Sequence, residues 1–296
     1  KQEEILLVNA LVGIAGLEPT LEAISIDRKI LLANKETLVV GGDLIKAALK
    51  KSKAEILPID SEHSGLWQLL EGEDKAKVKR VILTASGGAF RDKSLEELEK
   101  VKLKEALKHP NWSMGKKITI DSATLINKGF EIIEACYLFD FKLAEVEAII
   151  HHESLVHALI EFVDGSVLAQ ISTHDMRLAI SYALYYPRRK PSLAKRLDLD
   201  LLNGIHFAKI DYQKYPCFNY ALEAYKKGGS YLTVLNAANE VAVKLFLEEK
   251  IAFLDIAKII QEELTKHQGI KKPSLKQILA IDQEIKSRIY SEYKGA

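Results

Sequence analysis

The chain has 296 residues and is 48% hydrophobic, enough to bury a substantial core and to divide into two or three domains. Its 42 basic and 41 acidic side chains leave a formal charge of +1, so no long-range field favours nucleic acid or an anionic membrane, and any anionic ligand must be held by local groups. The two cysteines, Cys136 and Cys217, are too few for a disulfide framework or a cysteine-based metal site, and no apolar run approaches the ~18 residues of a membrane span.

The start, Lys1 to Glu4, is not a signal peptide, and a cytoplasmic protein is expected. The missing initiating Met reads as the mark of a longer protein at the N-terminal end. Ile5 to Gly16 has the pattern of a buried strand running into a Gly-containing turn, and Leu17 to Ile24 reads as a helix. Lys29 to Ala33 is a second buried strand and Thr37 to Lys51 a second helix, an alternation that implies a parallel sheet in an α/β layer. Gly13 and Gly16 lack the spacing of a dinucleotide fingerprint and read as turn chemistry. Asn34, Lys35 and Glu36 end a strand where open α/β sheets place ligand groups, an exposed turn being the alternative.

Glu55 to Gly65 closes a third strand with Asp60 and Glu62, and in extended chain residues two apart point the same way. Two carboxylates facing one point repel unless a cation sits between them, and oxygen-only ligation suits Mg²⁺ or Mn²⁺. A solvated acidic turn is the commoner fate of such a pair, and His63 reads as structural. Val81 to Gly88 is a fourth strand ending in a turn whose backbone N–H groups and Ser86 hydroxyl suit a phosphate, although Ser-Gly-Gly is also a plain loop. His109 to Gly115 is a loop by its Pro and Gly content, yet it carries Trp112 and Met114, which either pack down or form a lid that excludes water.

Ile118 to Ala135 is the most informative stretch. It opens with apolar alternation, passes Asp121 and Ser122 as candidate helix caps, and then places Thr124, Asn127, Lys128, Glu131 and Glu134 along one polar stripe of a helix. Most such stripes are solvated faces. Here an amide, a cation and a carboxylate share one turn behind a hydroxyl, and Gly129 interrupts the helix at a cost near ~1 kcal/mol. The donors suit an anion such as phosphate, and the carboxylate suits a metal or a proton.

Val146 to Ile150, Leu155 to Phe162 and Ser166 to Ser172 read as strands, with Asp164-Gly165 a hairpin turn between the last two. His151, His152 and His157 fall on mixed faces of such a pattern and read as structural or supporting groups rather than a metal cluster. A short helix begins at Thr173 to Arg177, and Pro187 to Pro191 marks a boundary. Four amphipathic helices follow, Asn219 to Lys227, Leu235 to Glu249, Leu254 to His267 and Leu275 to Tyr293, the pattern of a small bundle in which Asn236 and Asn239 read as caps or interface groups.

Assembled, the motifs LLANKETLV, PIDSEHSG, TASGGAF, HPNWSMGKKITIDSATLINKGFEIIEA and LNAANEVAV resemble the 1-deoxy-D-xylulose 5-phosphate reductoisomerase family from about Leu6 to the last helix. The resemblance implies an α/β protein made of the remnant of a Rossmann-like NADPH-binding domain (1–51), an α/β catalytic domain with a flap (52–186), a linker (187–211) and a C-terminal four-helix bundle (212–296). It implies Asp60, Glu62 and Glu131 as ligands of Mg²⁺ or Mn²⁺, with Co²⁺ a further candidate. It implies Ser61, Ser86, Ser122, Asn127 and Lys128 as sugar-phosphate contacts, and Lys35 as touching both substrate and cofactor. Asn34, Glu36, Gly115 and Met176 match its NADPH-side positions, His109 and Trp112 its closing flap, and His157 a histidine near the substrate; Lys35, Glu62 and His109 match its catalytic groups.

The implied reaction is NADPH-dependent rearrangement and reduction of 1-deoxy-D-xylulose 5-phosphate to 2-C-methyl-D-erythritol 4-phosphate, in a homodimer that binds neither nucleic acid nor membrane. The chain starts after the family's Gly-rich nucleotide-binding segment, so metal and substrate are expected to bind better than NADPH. Two other readings stay open at this stage, a non-catalytic sugar-phosphate-binding or dimerisation module and a metal-dependent aldolase or isomerase without a redox cofactor. The coding sequence upstream of Lys1 separates them from the first.

Overall fold

The computed structural model describes residues 5–293; the opening Lys1 to Glu4, read as no signal peptide, lies outside the described residues. Strand and helix alternate through β1 (Leu6–Asn9), α1 (Leu17–Ser25), β2 (Lys29–Leu32), α2 (Lys35–Leu49), β3 (Glu55–Pro58) and α3 (Ser61–Leu70). The three strands form one parallel sheet in the order β1-β2-β3. The expected burial of the first strand does not hold: Val8 is 54% exposed and Leu11 and Val12 beyond it are open, because β1 has a neighbour on one side only among the described residues.

A second sheet is mixed. It contains β4 (Val78–Ala85), followed by the short helices α4 (Leu95–Leu98) and α5 (Leu103–Ala106), then α6 (Lys116–Ala123) and α7 (Ile126–Phe139). β5 (Val146–His151), β6 (Val156–Phe162), β7 (Val167–Ile171), α8 (Met176–Tyr185) and β8 (Phe207–Ala208) follow, and the strand order is β7-β6-β4-β5-β8. β4 runs parallel to β5 and antiparallel to β6, with the β6–β7 hairpin turning at Asp164-Gly165 as the sequence indicates. Because side chains alternate across a strand, one face presents Val81, Leu83, Ala85, Val146, Ala158 and Ile160 to a core shared with Leu66 of α3 and Ile132 and Ala135 of α7. The opposite face carries half-buried Ile82, Ile149 and Leu159, with Arg80 paired to Glu147 and Glu161.

The chain ends in α9 (Pro216–Lys227), α10 (Tyr231–Leu247), α11 (Asp255–Lys266) and α12 (Leu275–Glu292). Ala237, Ala238, Val241 and Ala242 of α10 are almost wholly buried, and their core does not close on the four helices. It continues through Ile120 and Ala123 of α6 and Ile126, Phe130 and Ile133 of α7. Asn236 and Asn239 are not caps; they lie fully buried in the middle of α10. Among the described residues no helix is long and apolar enough to cross a membrane.

Candidate active site

Helix starts deliver the site's charged groups. Asn34 caps α2, its Oδ1 accepting from the Thr37 N–H at 2.7 Å while its Nδ2 donates to the Leu11 and Gly13 carbonyls. Asp60 caps α3, accepting from the Glu62 and His63 N–H groups at 3.0 and 3.3 Å. Asp60 and Glu62 therefore converge by the geometry of a capped helix rather than by the period of an extended strand. Asp121 and Ser122 are likewise not caps: both sit inside α6, and α7 begins only after Leu125 enters the left-handed region at φ 56°. That break leaves Thr124 off the stripe and keeps Asn127, Lys128, Glu131 and Glu134 on α7.

One oxygen from each of Asp60, Glu62 and Glu131 lies within 4.8 Å of the others. Lys35 Nζ sits 2.6 Å from Asp60 Oδ2, and Lys128 contacts Glu131 and lies 3.3 Å from Glu62. These ammonium groups supply the positive charge that three converging carboxylates require. Burial alone would raise the Asp60 carboxyl, but Lys35 and His63 outweigh it and hold it well below the usual range. Burial works against the Lys35 charge, and Asp60, Glu131 and Glu134 overcome it, so Lys35 stays protonated. Burial pushes the Glu131 carboxyl up to about 8, Lys128 opposing and Glu62 and Asp60 adding.

His63 stands behind the cluster, fully buried, with Nδ1 3.0 Å from Asp60 Oδ1 and Nε2 2.9 Å from the Glu131 carbonyl. Both ring nitrogens are thus engaged within the protein, as a supporting residue's would be. Glu134, 3.4 Å from His63 Nδ1, is pushed to about 7 chiefly by burial. A donor set of three carboxylates without thiol or imidazole fits a hard divalent cation such as Mg²⁺ or Mn²⁺.

The carboxylates open on a cavity of about 260 Å³ lined by Lys35, Ser61, Ser86, Ser122, Asn127 and Lys128 on its polar side. His109, Trp112 and Met176 also line it. The β4 turn reaches this wall because Gly88, at φ +69°, packs where a Cβ would stand 2.5 Å from the Ser122 carbonyl, which sets Ser86 beside the end of α6. The loop 109–115 closes one side. Its Asn111 and Trp112 N–H groups donate to His109 Nδ1 at 3.1 and 2.9 Å, which leaves the proton on Nε2 to donate to Ser86 Oγ at 2.9 Å. Burial, then Arg91 and His174, lower the His109 pKa to about 4. Trp112 lies edge-on to His157, whose Nε2 is buried with no hydrogen-bond partner.

Asn34, Glu36, Gly115 and His157 do not line this cavity. Asn34 spends its whole amide inside the protein, and Glu36 pairs with Lys117 at 2.8 Å. Ser154, Leu125 and Ile118 do line it and were missed. No spacing rule marks them, because Ser154 reaches the wall through the β5–β6 turn, where Asn111 Nδ2 donates to its hydroxyl at 2.7 Å. Arg91 was also missed; its guanidinium ties the Ser86 carbonyl (3.3 Å) to that of His152 (2.8 Å).

Three family models match the chain, all describing 1-deoxy-D-xylulose 5-phosphate reductoisomerase: one at residues 1–42, and two for its C-terminal domain at 56–139 and 171–288. The enzyme of that name from Bacillus subtilis is 52% identical over 98% of this chain and 76% of its own length; that from Caldanaerobacter subterraneus is 51% identical over 99% and 77%. A crystal structure of DOX-P reductoisomerase with NADPH, fosmidomycin and magnesium superposes with a TM-score of 0.92 at 43% identity, covering 99% of this chain and 77% of that one. The Zymomonas mobilis enzyme in complex with NADPH gives 0.90 at 40%, covering 98% and 76%. By sequence and by fold, the chain belongs to the 1-deoxy-D-xylulose 5-phosphate reductoisomerase family.

Proposed function

We propose that this chain converts 1-deoxy-D-xylulose 5-phosphate to 2-C-methyl-D-erythritol 4-phosphate with NADPH and a divalent cation, a step of non-mevalonate isoprenoid synthesis. The observation that carries the reading is the convergence of Asp60, Glu62 and Glu131 at the foot of a cavity walled by hydroxyl, amide and ammonium donors. The relatives bear that enzyme's name, and structural neighbours are complexes with NADPH and with magnesium.

Asp60, Glu62 and Glu131 would hold the cation, which supplies Lewis-acid polarisation of the substrate's oxygens. NADPH supplies the hydride. The chain's own residues bind and shield. Ser86, Ser122, Asn127 and Lys128 present donors to the sugar phosphate, with Ser61 beside them. Lys35 keeps a fixed positive charge where the first sheet ends, next to the metal-side carboxylate Asp60. His109, neutral at working pH, latches the loop to Ser86, so that Trp112 lies over the cavity and keeps it dry. Met176, at the start of α8, lines the cavity and offers an apolar contact for the cofactor; Asn34, Glu36 and Gly115, which do not line it, are assigned to the cofactor side by the family resemblance alone.

The reading also includes a homodimer and a cytoplasmic setting. Ile82, Ile149 and Leu159, with Val167 49% exposed on the same face, give the second sheet an outer surface suited to a second copy of itself. Cys136 and Cys217 are free and buried, consistent with a reducing compartment.

The test is NADPH consumption with 1-deoxy-D-xylulose 5-phosphate and Mn²⁺, run beside direct titrations of metal, substrate and cofactor. Turnover that requires all three is expected, with NADPH the most weakly held. Intact metal and sugar-phosphate binding without NADPH consumption would instead favour a binding module.

A further inference from the structure

A buried polar link outside the cavity joins the C-terminal helices to the cofactor side of the site. Asn239 Nδ2 donates to Asp121 Oδ1 at 2.9 Å; Asp121 Oδ2 pairs with Lys117 Nζ at 2.7 Å; and the same ammonium lies 2.8 Å from Glu36 Oε1. Asn239 and Asp121 are 0% and 2% exposed. Three of its four residues lie one or two positions from something the proposed function uses: Glu36 follows Lys35 at the start of α2, Lys117 lies two past the end of the flap at Gly115, and Asp121 precedes Ser122; Asn239 brings in α10. One residue further along α10, Glu240 takes part in a second link. It accepts from Asn236 at 2.8 Å, pairs with Lys286 at 2.5 Å, and sets its carboxylate against Gly13, at φ +65°. The Gly13 carbonyl in turn accepts from Asn34.

Within the first link two carboxylates share one ammonium; Glu36 also feels the neighbouring Lys35 charge, while Asp121 has Lys117 alone. A buried carboxylate that shares its cation needs further hydrogen-bond donors, and the Asn239 amide supplies one to Asp121. Without it, Lys117 would be drawn to the deeper carboxylate, Asp121, and away from Glu36. If packing were the only purpose, an apolar pair between α10 and α6 would serve at least as well.

We infer that Asn239 is a positioning residue for the NADPH side of the site: by satisfying Asp121 it leaves Lys117 shared with Glu36, which fixes the start of α6, and with it the end of the flap, against the start of α2. This rests on the proposed function for its cofactor, but the geometry it describes belongs to the chain itself.

The test compares Asn239→Leu with the pair Asn239→Leu/Asp121→Leu. The single variant is expected to raise the KM for NADPH about tenfold, the scale of one lost hydrogen bond to a charged group. The KM for the sugar phosphate and the Mn²⁺ affinity should stay within about twofold. Amide hydrogen exchange at Gly115 to Ile118 should quicken, a readout that needs no turnover. Removing Asp121 as well leaves Lys117 wholly to Glu36, so the double variant should recover both the NADPH KM and the slow exchange.

A residue that only packs α10 on α6 would give a double variant worse than the single one, and that result would overturn the inference. So would equal losses for all ligands alongside a lowered melting temperature. Should Asn239→Leu fail to fold, Asp121→Leu and Lys117→Met decide: the first should leave NADPH binding near normal and the second should weaken it, and equal effects would sink the proposal. Failure of the parent chain to oxidise NADPH speaks against the proposed function alone, since the exchange measurement still reports on the link.

Discussion

Glu131 is an acid held among acids, and its carboxyl, pushed to about 8 by burial, takes a proton readily when no cation is present. Glu131→Gln changes its charge and hardly its shape. The variant should fold normally by circular dichroism yet lose Mn²⁺ affinity by more than the about 10- to 100-fold expected for an outer-shell partner; unchanged affinity in a Mn²⁺ titration would remove Glu131 from the ligand set. His109 yields a pH prediction of defined sign. Its folded pKa, about 4, lies below the ordinary value of 6.5, so the closed flap takes up a proton less readily than the open one. Flap closure should be complete above about pH 6.5 and weaken as the pH falls from there toward 4. Trp112 fluorescence in a Trp67→Phe background should report that change, and His109→Gln should flatten it. The stripe of Asn127, Lys128, Glu131 and Glu134 was legible from helical spacing, whereas the roles of His109 and Trp112 came from the family resemblance, since a loop carries no period. Ser154 and Arg91 were not legible, because they reach the site through turns and carbonyl contacts that leave no spacing to read.

At the level of the elements, sequence patterns located β1 to β7 and the longer helices α1, α2, α7 and α9 to α12, but gave no sign of α3, α4, α5 or β8 and misplaced several ends. The alternation at Ile118 to Ile120 looks extended, yet these residues lie in α6: the Thr119 N–H donates to the Gly115 carbonyl, and the Thr119 and Ser122 hydroxyls, which could favour other backbone forms, donate to carbonyls four residues earlier. The break before α7 rests on a leucine in the left-handed region, which no residue-type rule anticipates. Gly129 is the reverse case. Its cost in a helix was evident from the sequence, but its purpose is visible only in three dimensions: a Cβ there would stand 2.5 Å from the Ala221 Cβ, so glycine lets α7 and α9 approach. Gly129→Ala gains up to about 1 kcal/mol in helix propensity and loses about 1–3 kcal/mol to overpacking. Its melting temperature should therefore fall, and Ala221→Gly in the same chain should restore part of it. A Gly129→Ala variant as stable as the parent would mean the two helices separate without cost.

Taken whole, the molecule has two surfaces with different expectations. The outer face of the second sheet is apolar at its centre and ion-paired toward one end, so Leu159→Arg should leave the fold intact and halve the mass seen by sedimentation; a parent chain that already sediments as a monomer would refute the dimer. The helical face has no such independence. Boundaries at 187–211 and 212–296 were drawn from prolines and amphipathic periodicity, signals that mark where the chain turns but not which core a helix joins. α7 offers Asn127, Lys128 and Glu131 to the cavity while Phe130 and Ile133 enter the core of α9 to α12, so a single rigid rod belongs to both regions. This matters for anyone recombining relatives. A hybrid that took its last four helices from one parent and its metal-side residues from another would have to inherit the Gly129–Ala221 and Asp121–Asn239 pairs intact. The last four helices therefore do not make an exchangeable cassette.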